Sequence, residues 1–247
     1  KVEFRDVTFT YPGAAEPVLH NISFVALPGE TTAFVGSTGS GKSTIINLIP
    51  RFYEVTEGQV LLDDVDVRAM RQKDLRARIG YVSQKAMLFS GTIKDNIIYG
   101  NPRASQEEIL QAAATAQALE FIKELEQKFD SSIAQAGSNF SGGQKQRLAI
   151  ARALAKNPEL YLFDDSFSAL DFKTDTALRH ALKKEAQGKT VIIVTQRIAT
   201  IMNADKIIVI DQGEIVGQGT HENLLRTCKI YREIAASQLA PEELARS

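Results

Sequence analysis

Three stretches of this sequence carry residue types and spacings that could do chemistry. The first is Gly36-Ser37-Thr38-Gly39-Ser40-Gly41-Lys42-Ser43-Thr44. Its glycines free the backbone to curl so that successive N–H groups point inward as a nest for anions, and a helix N-terminus behind them would add to the attraction. Lys42 is spaced to reach the β- and γ-phosphates of a nucleotide, and Ser43 to offer its hydroxyl to Mg²⁺. The second is Asp164, a carboxylate ending the apolar run Leu160-Tyr161-Leu162-Phe163 and placed to hold Mg²⁺ directly or through water. Taken alone, without the glycine-rich loop, Asp164 reads first as a strand-end aspartate capping Ser166 or a following turn. The third is Ser141-Gly142-Gly143-Gln144 at the head of a helical pattern. Two glycines there let backbone N–H groups approach an anion closely, although Ser141 is also an ordinary helix N-cap.

The first stretch counts as a phosphate cradle only between a strand and a helix. The sequence supplies both, with the β-branched run Thr31 to Val35 entering the loop and the pattern Ile45, Ile46, Leu48, Ile49 leaving it. Further strands are expected at Val2 to Thr10, Val18 to Val25, Gln59 to Leu62 and Ile79 to Val82, the last ending at Ser83-Gln84. From Ile93 to Lys156 strand signals vanish, and helices are expected at Glu107 to Ala116, Leu119 to Leu125 and Gln144 to Ala155. Leu160 to Phe163, Thr190 to Val194 and Lys206 to Ile210 are compact apolar runs of the buried parallel-sheet type. Helices around Thr174 to Ala186 and Ile198 to Met202 separate them. One helix over Glu222 to Ala236 and a polar tail, Ser237 to Ser247, complete the reading. The order is a mixed β region, an α/β core, an inserted helical block, then the core again.

Composition narrows the function classes. Lys+Arg 29 against Asp+Glu 30 leaves a net charge of −1, so no nucleic-acid partner held by bulk electrostatics is expected. The single cysteine, Cys228, cannot form an internal disulfide and reads as a partly buried structural thiol. No apolar run approaches the roughly 18 residues needed to span a bilayer. The chain opens at Lys1 directly on a strand pattern with no signal peptide, which suggests a domain of a longer polypeptide.

Together these residues resemble the nucleotide-binding domain of ABC transporters over nearly the whole chain, to about Ala236. The family's motifs fall in its order. Tyr11 matches the aromatic that stacks on adenine, Gly36 to Ser43 the Walker A loop, and Gln84 the Q-loop glutamine that touches Mg²⁺ and the attacking water. Ser141 to Gln144 matches the signature, Asp164 the Walker B aspartate, and Ser168-Ala169-Leu170-Asp171 the D-loop. The phrases Arg51-Phe52-Tyr53, Leu88-Phe89-Ser90-Gly91-Thr92-Ile93 and Asp95-Asn96-Ile97 resemble the exporter branch, in which a transmembrane domain belongs to the same polypeptide. The resemblance implies a single α/β domain over 1–247, a P-loop NTPase core with a mostly parallel sheet and an N-terminal antiparallel β subdomain. Residues 1–83 and 157–236 would form that part, 84–156 a helical subdomain with the signature, and 237–247 the tail. It implies ATP and Mg²⁺ as ligands and a place at the cytoplasmic face of a membrane. It also implies a second nucleotide-binding domain, so that each ATP lies between one chain's Walker A loop and the other's signature.

Three departures from the family pattern matter. Where the catalytic glutamate usually follows the Walker B aspartate there is Asp165, and the switch position after Thr190 to Thr195, usually histidine, is Gln196. Gln135 stands where exporters of this type commonly carry an X-loop glutamate. A shorter carboxylate retreats from the attacking water by about 1 Å, a misplacement that can cost on the order of a hundredfold in rate. Glutamine still donates a hydrogen bond but cannot carry imidazolium charge. The pairing resembles the degenerate half of a heterodimeric exporter, whose partner is a different chain with a catalytic glutamate. A fully active homodimeric exporter domain, a soluble ABC protein of translation or DNA repair, and an ATP sensor without turnover are the alternatives.

Overall fold

The computed structural model describes residues 1–240. Strand β1 (Val2–Phe9) pairs antiparallel with β2 (Leu19–Ala26), and β3 (Thr31–Val35) feeds the glycine-rich loop and helix α1 (Lys42–Leu48). Strand β4 (Glu57–Leu62) takes the other side of β1, β5 (Val65–Asp66) borders it, and α2 (Gln72–Ala77) precedes β6 (Ile79–Val82). The inserted block holds β7 (Gly91–Thr92), α3 (Ile93–Ile97), α4 (Gln106–Thr115), α5 (Leu119–Glu124), β8 (Ser132–Ile133) and α6 (Gly142–Ala155). The chain returns through β9 (Leu160–Asp164), α7 (Phe172–Glu185), β10 (Thr190–Val194) and α8 (Ile198–Ile201). It ends with β11 (Lys206–Asp211), β12 (Glu214–Gly219), α9 (His221–Thr227) and α10 (Lys229–Ala236).

The central sheet runs β12-β11-β3-β10-β9-β6, parallel except for β12, and a separate antiparallel sheet runs β2-β1-β4-β5. Side chains of a strand alternate between its faces, so a sheet covered on both sides has two cores. Here Leu160, Leu162, Ile192 and Val194 join α1 and the antiparallel sheet, while Tyr161, Phe163, Val191 and Ile193 join the helical block and α7. Parallel register is what builds the functional edge. With Val194 opposite both Phe34 and Asp164, and Val82 opposite Phe163, the C-terminal ends of β3, β6, β9 and β10 open at one side of the sheet.

The α/β architecture is as expected, with four local corrections. Gly91 and Thr92 pair with Ile133 and Ser132, a two-residue ladder inside the block read as purely helical. The helix expected over Glu222 to Ala236 is two, because Cys228 adopts an extended conformation (φ −113°, ψ 109°) between α9 and α10. That break buries Cys228 more fully than expected, against Gly217 of β12. The start of the expected polar tail is packed, with Leu239 against the core and its N–H donating to Ala235 O at 2.9 Å. Positions 241–247 of that tail lie outside the described residues. Among the described residues no helix is long and apolar enough to cross a membrane.

Candidate functional site

The loop after β3 is shaped by contacts that only glycine permits at two places. A Cβ on Gly36 would lie 2.0 Å from Ile210 O, and Gly41 has φ +104° with Leu19 Cδ2 at 2.6 Å from where a Cβ would sit. The loop therefore lies tight against β11 and β2 while its carbonyls at Gly36 and Ser37 turn in on the Lys42 ammonium. The ammonium has three N–H donors, and all are used within the loop, on Gly36 O (2.9 Å), Ser37 O (2.6 Å) and Ser40 Oγ (3.1 Å). Burial lowers the Lys42 pKa from its ordinary value, against the pull of Asp165 and Asp164. An incoming phosphate would offer that ammonium stronger, charged acceptors.

Ser43 Oγ donates to Asp164 Oδ1 at 2.9 Å, so α1 and β9 meet through a hydroxyl and a carboxylate. Burial pushes the Asp164 pKa up, the Ser43 bond works against this, and the neighbouring Asp165 charge adds to the rise. A buried carboxylate so placed is a ready ligand for a hard cation.

Asp165 sits where β9 ends, in the left-handed region at φ +45°. Its N–H donates to Val194 O at 2.7 Å, and its carbonyl accepts from Ser168 Oγ at 2.8 Å. Both carboxylate oxygens have partners: Gln84 Nε2 donates to Oδ2 at 3.2 Å and Thr195 Oγ1 to Oδ1 at 3.4 Å. Thr38 Oγ1 reaches Gln196 Oε1 at 3.5 Å, joining the glycine-rich loop to the turn after β10.

These groups line one cleft of about 370 Å³ that contains Tyr11, Thr38, Gly39, Gly41, Lys42, Ser43, Thr44, Gln84, Asp164, Asp165 and Gln196. Tyr11 is held by its hydroxyl against Thr44 Oγ1 (2.9 Å) and by edge contacts with Phe9 and Tyr53 at 4.8 and 5.1 Å. Gly36 and Ser40 are buried and shape the loop from behind, while Ser37 is exposed on it and its carbonyl accepts from Lys42. Val18, Val194 and Thr195 also line the cleft, and none of them is a site residue on sequence grounds. Thr195 had a signal, a hydroxyl at the end of an apolar strand directly before Gln196, whereas Val18 had none.

Ser141, Gly142, Gly143, Gln144 and Asp171 do not line that cleft. Ser141 Oγ accepts from Gln144 N (3.3 Å) while Gln144 Oε1 accepts from Ser141 N (2.9 Å), a reciprocal capping box at the start of α6. Gly142 faces open space, and Gly143 approaches Ala169 O, so the signature lies against the D-loop. Asp171 caps α7 by accepting from Thr174 N at 3.0 Å, and within this chain that structural task accounts for it. Gln135 stands exposed in a short turn before the signature. A further exposed patch gave no sequence signal as such: Met87 beside the stacked rings of Phe89 and Tyr99, 4.4 Å apart, with Arg152 over Phe89.

Residues 19–168 match the ABC transporter family model. The chain is 50% identical over 240 residues to an uncharacterized ABC transporter ATP-binding protein of Mycobacterium tuberculosis, covering 96% of this chain and 41% of that protein. It is 45% identical to the ATP-dependent lipid A-core flippase of Haemophilus influenzae, covering 96% of this chain and 41% of the flippase. Among solved structures, a bacterial Atm1-family ABC exporter with ATP bound superposes with a TM-score of 0.93 at 41% identity, over 97% of this chain and 42% of the exporter. The chain thus spans about two-fifths of the length of the relatives it matches.

Proposed function

The chain belongs to the ABC transporter family as an ATP-binding domain homologous to those of exporters, and from that premise we propose that it is the slow-hydrolysing half of an asymmetric pair. Its own loop binds MgATP, and its signature completes the site of a second, different chain that carries a catalytic glutamate. ATP-dependent closure of the two drives a transmembrane domain of the same polypeptide toward export, at the cytoplasmic face of the membrane. The exposed patch of Met87, Phe89 and Tyr99, which begins three residues after Gln84 in the chain, supports a docking surface for that transmembrane domain.

The residues present fit a magnesium nucleotide. Ser43 and Asp164 offer two hard oxygen donors, already 2.9 Å apart, and Mg²⁺ bound there would neutralise charge on the phosphates. Lys42 would exchange its carbonyl acceptors for oxygens of the β- and γ-phosphates, and Tyr11 would present its ring to the base. Gln84 would orient the attacking water, Asp165 accept its proton and Gln196 donate to the γ-phosphate.

The observation that carries the slow-site reading is the seat of Asp165. Its carboxylate is one methylene shorter than glutamate, its backbone is tied to Val194 O and Ser168, and both its oxygens are drawn to Gln84 and Thr195. Its shorter reach and these ties hold it back from an attacking water, so that proton transfer to it is slow. Affinity purification of the tagged full-length protein tests the asymmetric pair. A different ABC half recovered in equal amount supports it, and recovery of this protein alone as a homodimer refutes it.

A further inference from the structure

We propose that Gln238 is a positioning residue for hydrolysis at this chain's own site, acting through the backbone of Gln196. The proposal rests on the reading that Gln196 works at the γ-phosphate.

Strand β10 ends at Val194, and Thr195 N–H still follows the sheet by donating to Phe34 O at 3.1 Å. Beyond it the chain leaves the sheet, and α8 begins at Ile198 with Arg197 in the N-cap position. The first N–H groups of a helix need acceptors from outside it, and an arginine side chain contains none. No side chain at the N-cap serves α8. The acceptor comes from forty residues further on. Gln238 Oε1 accepts from Ile198 N at 2.9 Å, and Gln238 Nε2 donates to Gln196 O at 2.7 Å. One primary amide thus grips both sides of the turn, as a neighbouring strand would.

The base of this clamp is fixed. Gln238 N and Leu239 N both donate to Ala235 O, at 3.0 and 2.9 Å, and Leu239 packs on the core. Helix α10 is anchored by buried Tyr231 and Ala235, and Tyr231 OH lies 2.6 Å from His221 Nδ1 of α9. On the cleft side Thr195 Oγ1 accepts from Arg197 N at 3.1 Å, a tie on the turn that does not reach Gln196. Thr38 Oγ1 reaches the Gln196 side chain at 3.5 Å, and Arg197 Nη2 donates to Ser168 O of the D-loop at 2.8 Å. The hydrogen bond from Gln238 Nε2 acts on the main chain of Gln196 itself, where it sets the origin of an exposed side chain. Freeing that origin lets the Gln196 amide drift by a fraction of an ångström from the phosphate.

Gln238→Met keeps the length and apolar stem but loses both bonds, whereas Gln238→Glu keeps the acceptor for Ile198 and loses the donor. Both are made in the full-length transporter, with a partner half whose own phosphate-loop lysine has been replaced. Three quantities are read: hydrogen exchange at the Ile198 amide without nucleotide, MgATP affinity, and single-turnover hydrolysis. Gln238→Met should speed Ile198 exchange about tenfold and slow turnover about tenfold, with affinity within about twofold. Gln238→Glu should leave Ile198 exchange near wild type and give intermediate turnover. Unchanged exchange in Gln238→Met, unchanged turnover, or an affinity loss as large as the rate loss would overturn the proposal. Gln196→Ala, assayed alongside, separates the two levels. If it slows turnover while Gln238→Met does not, only the clamp fails; if neither slows turnover, the role of Gln196 fails with it.

Discussion

Replacing Gly142 by aspartate should leave this domain folded and silence the assembled transporter. Gly142 is the first residue of α6, and a Cβ built on it meets nothing within 4 Å. The Ser141–Gln144 capping box around it uses neither its side chain nor its space. A carboxylate in the first turn of a helix gains about 0.3–1 kcal/mol from the helix dipole, and loss of glycine's freedom in the unfolded chain adds to this. The melting temperature of the domain should therefore hold or rise. Against a γ-phosphate in the facing subunit the same carboxylate is repelled. At about 4 Å and an effective dielectric of about 20, each unit of like charge costs about 4 kcal/mol, on the order of a thousandfold in rate. The assay is steady-state ATPase of the full transporter, with Gly142→Ala as the uncharged control and MgATP binding at this chain's own loop measured in parallel. Binding should survive while ATPase collapses only in the aspartate variant. Preserved ATPase in a stably folded preparation containing both halves would refute the reasoning.

Lys42→Ala should abolish measurable MgATP binding by calorimetry, because among the described residues no other lysine lines the cleft; unchanged affinity would refute the cradle. Tyr11→Ala should weaken binding by about 1–3 kcal/mol, and GTP should bind within roughly tenfold of ATP, since a ring face discriminates bases poorly. A GTP affinity lower by a hundredfold or more would show base-edge recognition instead. The Asp165→Glu, Gln196→His double variant should raise single-turnover hydrolysis at this chain's loop by more than the product of the two single gains, because the two act on one transition state. A double gain equal to that product would show that they act independently. Burial lowers the His221 pKa, with Glu222 pulling the other way, so the unfolded chain takes up this proton first as pH falls below about 6.5. The stability tied to it is full above that pH and lost below it. The melting temperature should fall more between about pH 7.5 and 5.5 in wild type than in His221→Gln, and equal falls would contradict this.

The parallel strands were legible because they are buried on both faces and read as unbroken apolar runs: Thr31–Val35, Ile79–Val82 and Thr190–Val194 begin and end where expected. Glu214–Gly219 was not, because its residues alternate between exposed and half-buried at the sheet edge and include two glycines. The break at Cys228 was invisible since no glycine or proline marks it; it follows from packing against Gly217, a contact made only in three dimensions. The phosphate loop, Ser43 and Asp164 came from local spacing, and their meeting follows from strand order. Nothing in one sequence says that Asp165 is held by Gln84 and Thr195, or that Gln238 returns to the turn at Gln196. Those are contacts between side chains far apart in the chain, and the signature's distance from the cleft likewise appears only once α6 is placed.

The most direct measurement follows radiolabelled ATP trapped separately at the two sites of the assembled transporter through a single turnover. ATP held by Lys42, Ser43 and Asp164 should outlast the ATP in the facing site by on the order of a hundredfold, the penalty for a catalytic carboxylate about 1 Å short. Equal decay at the two sites would contradict the slow-site account outright.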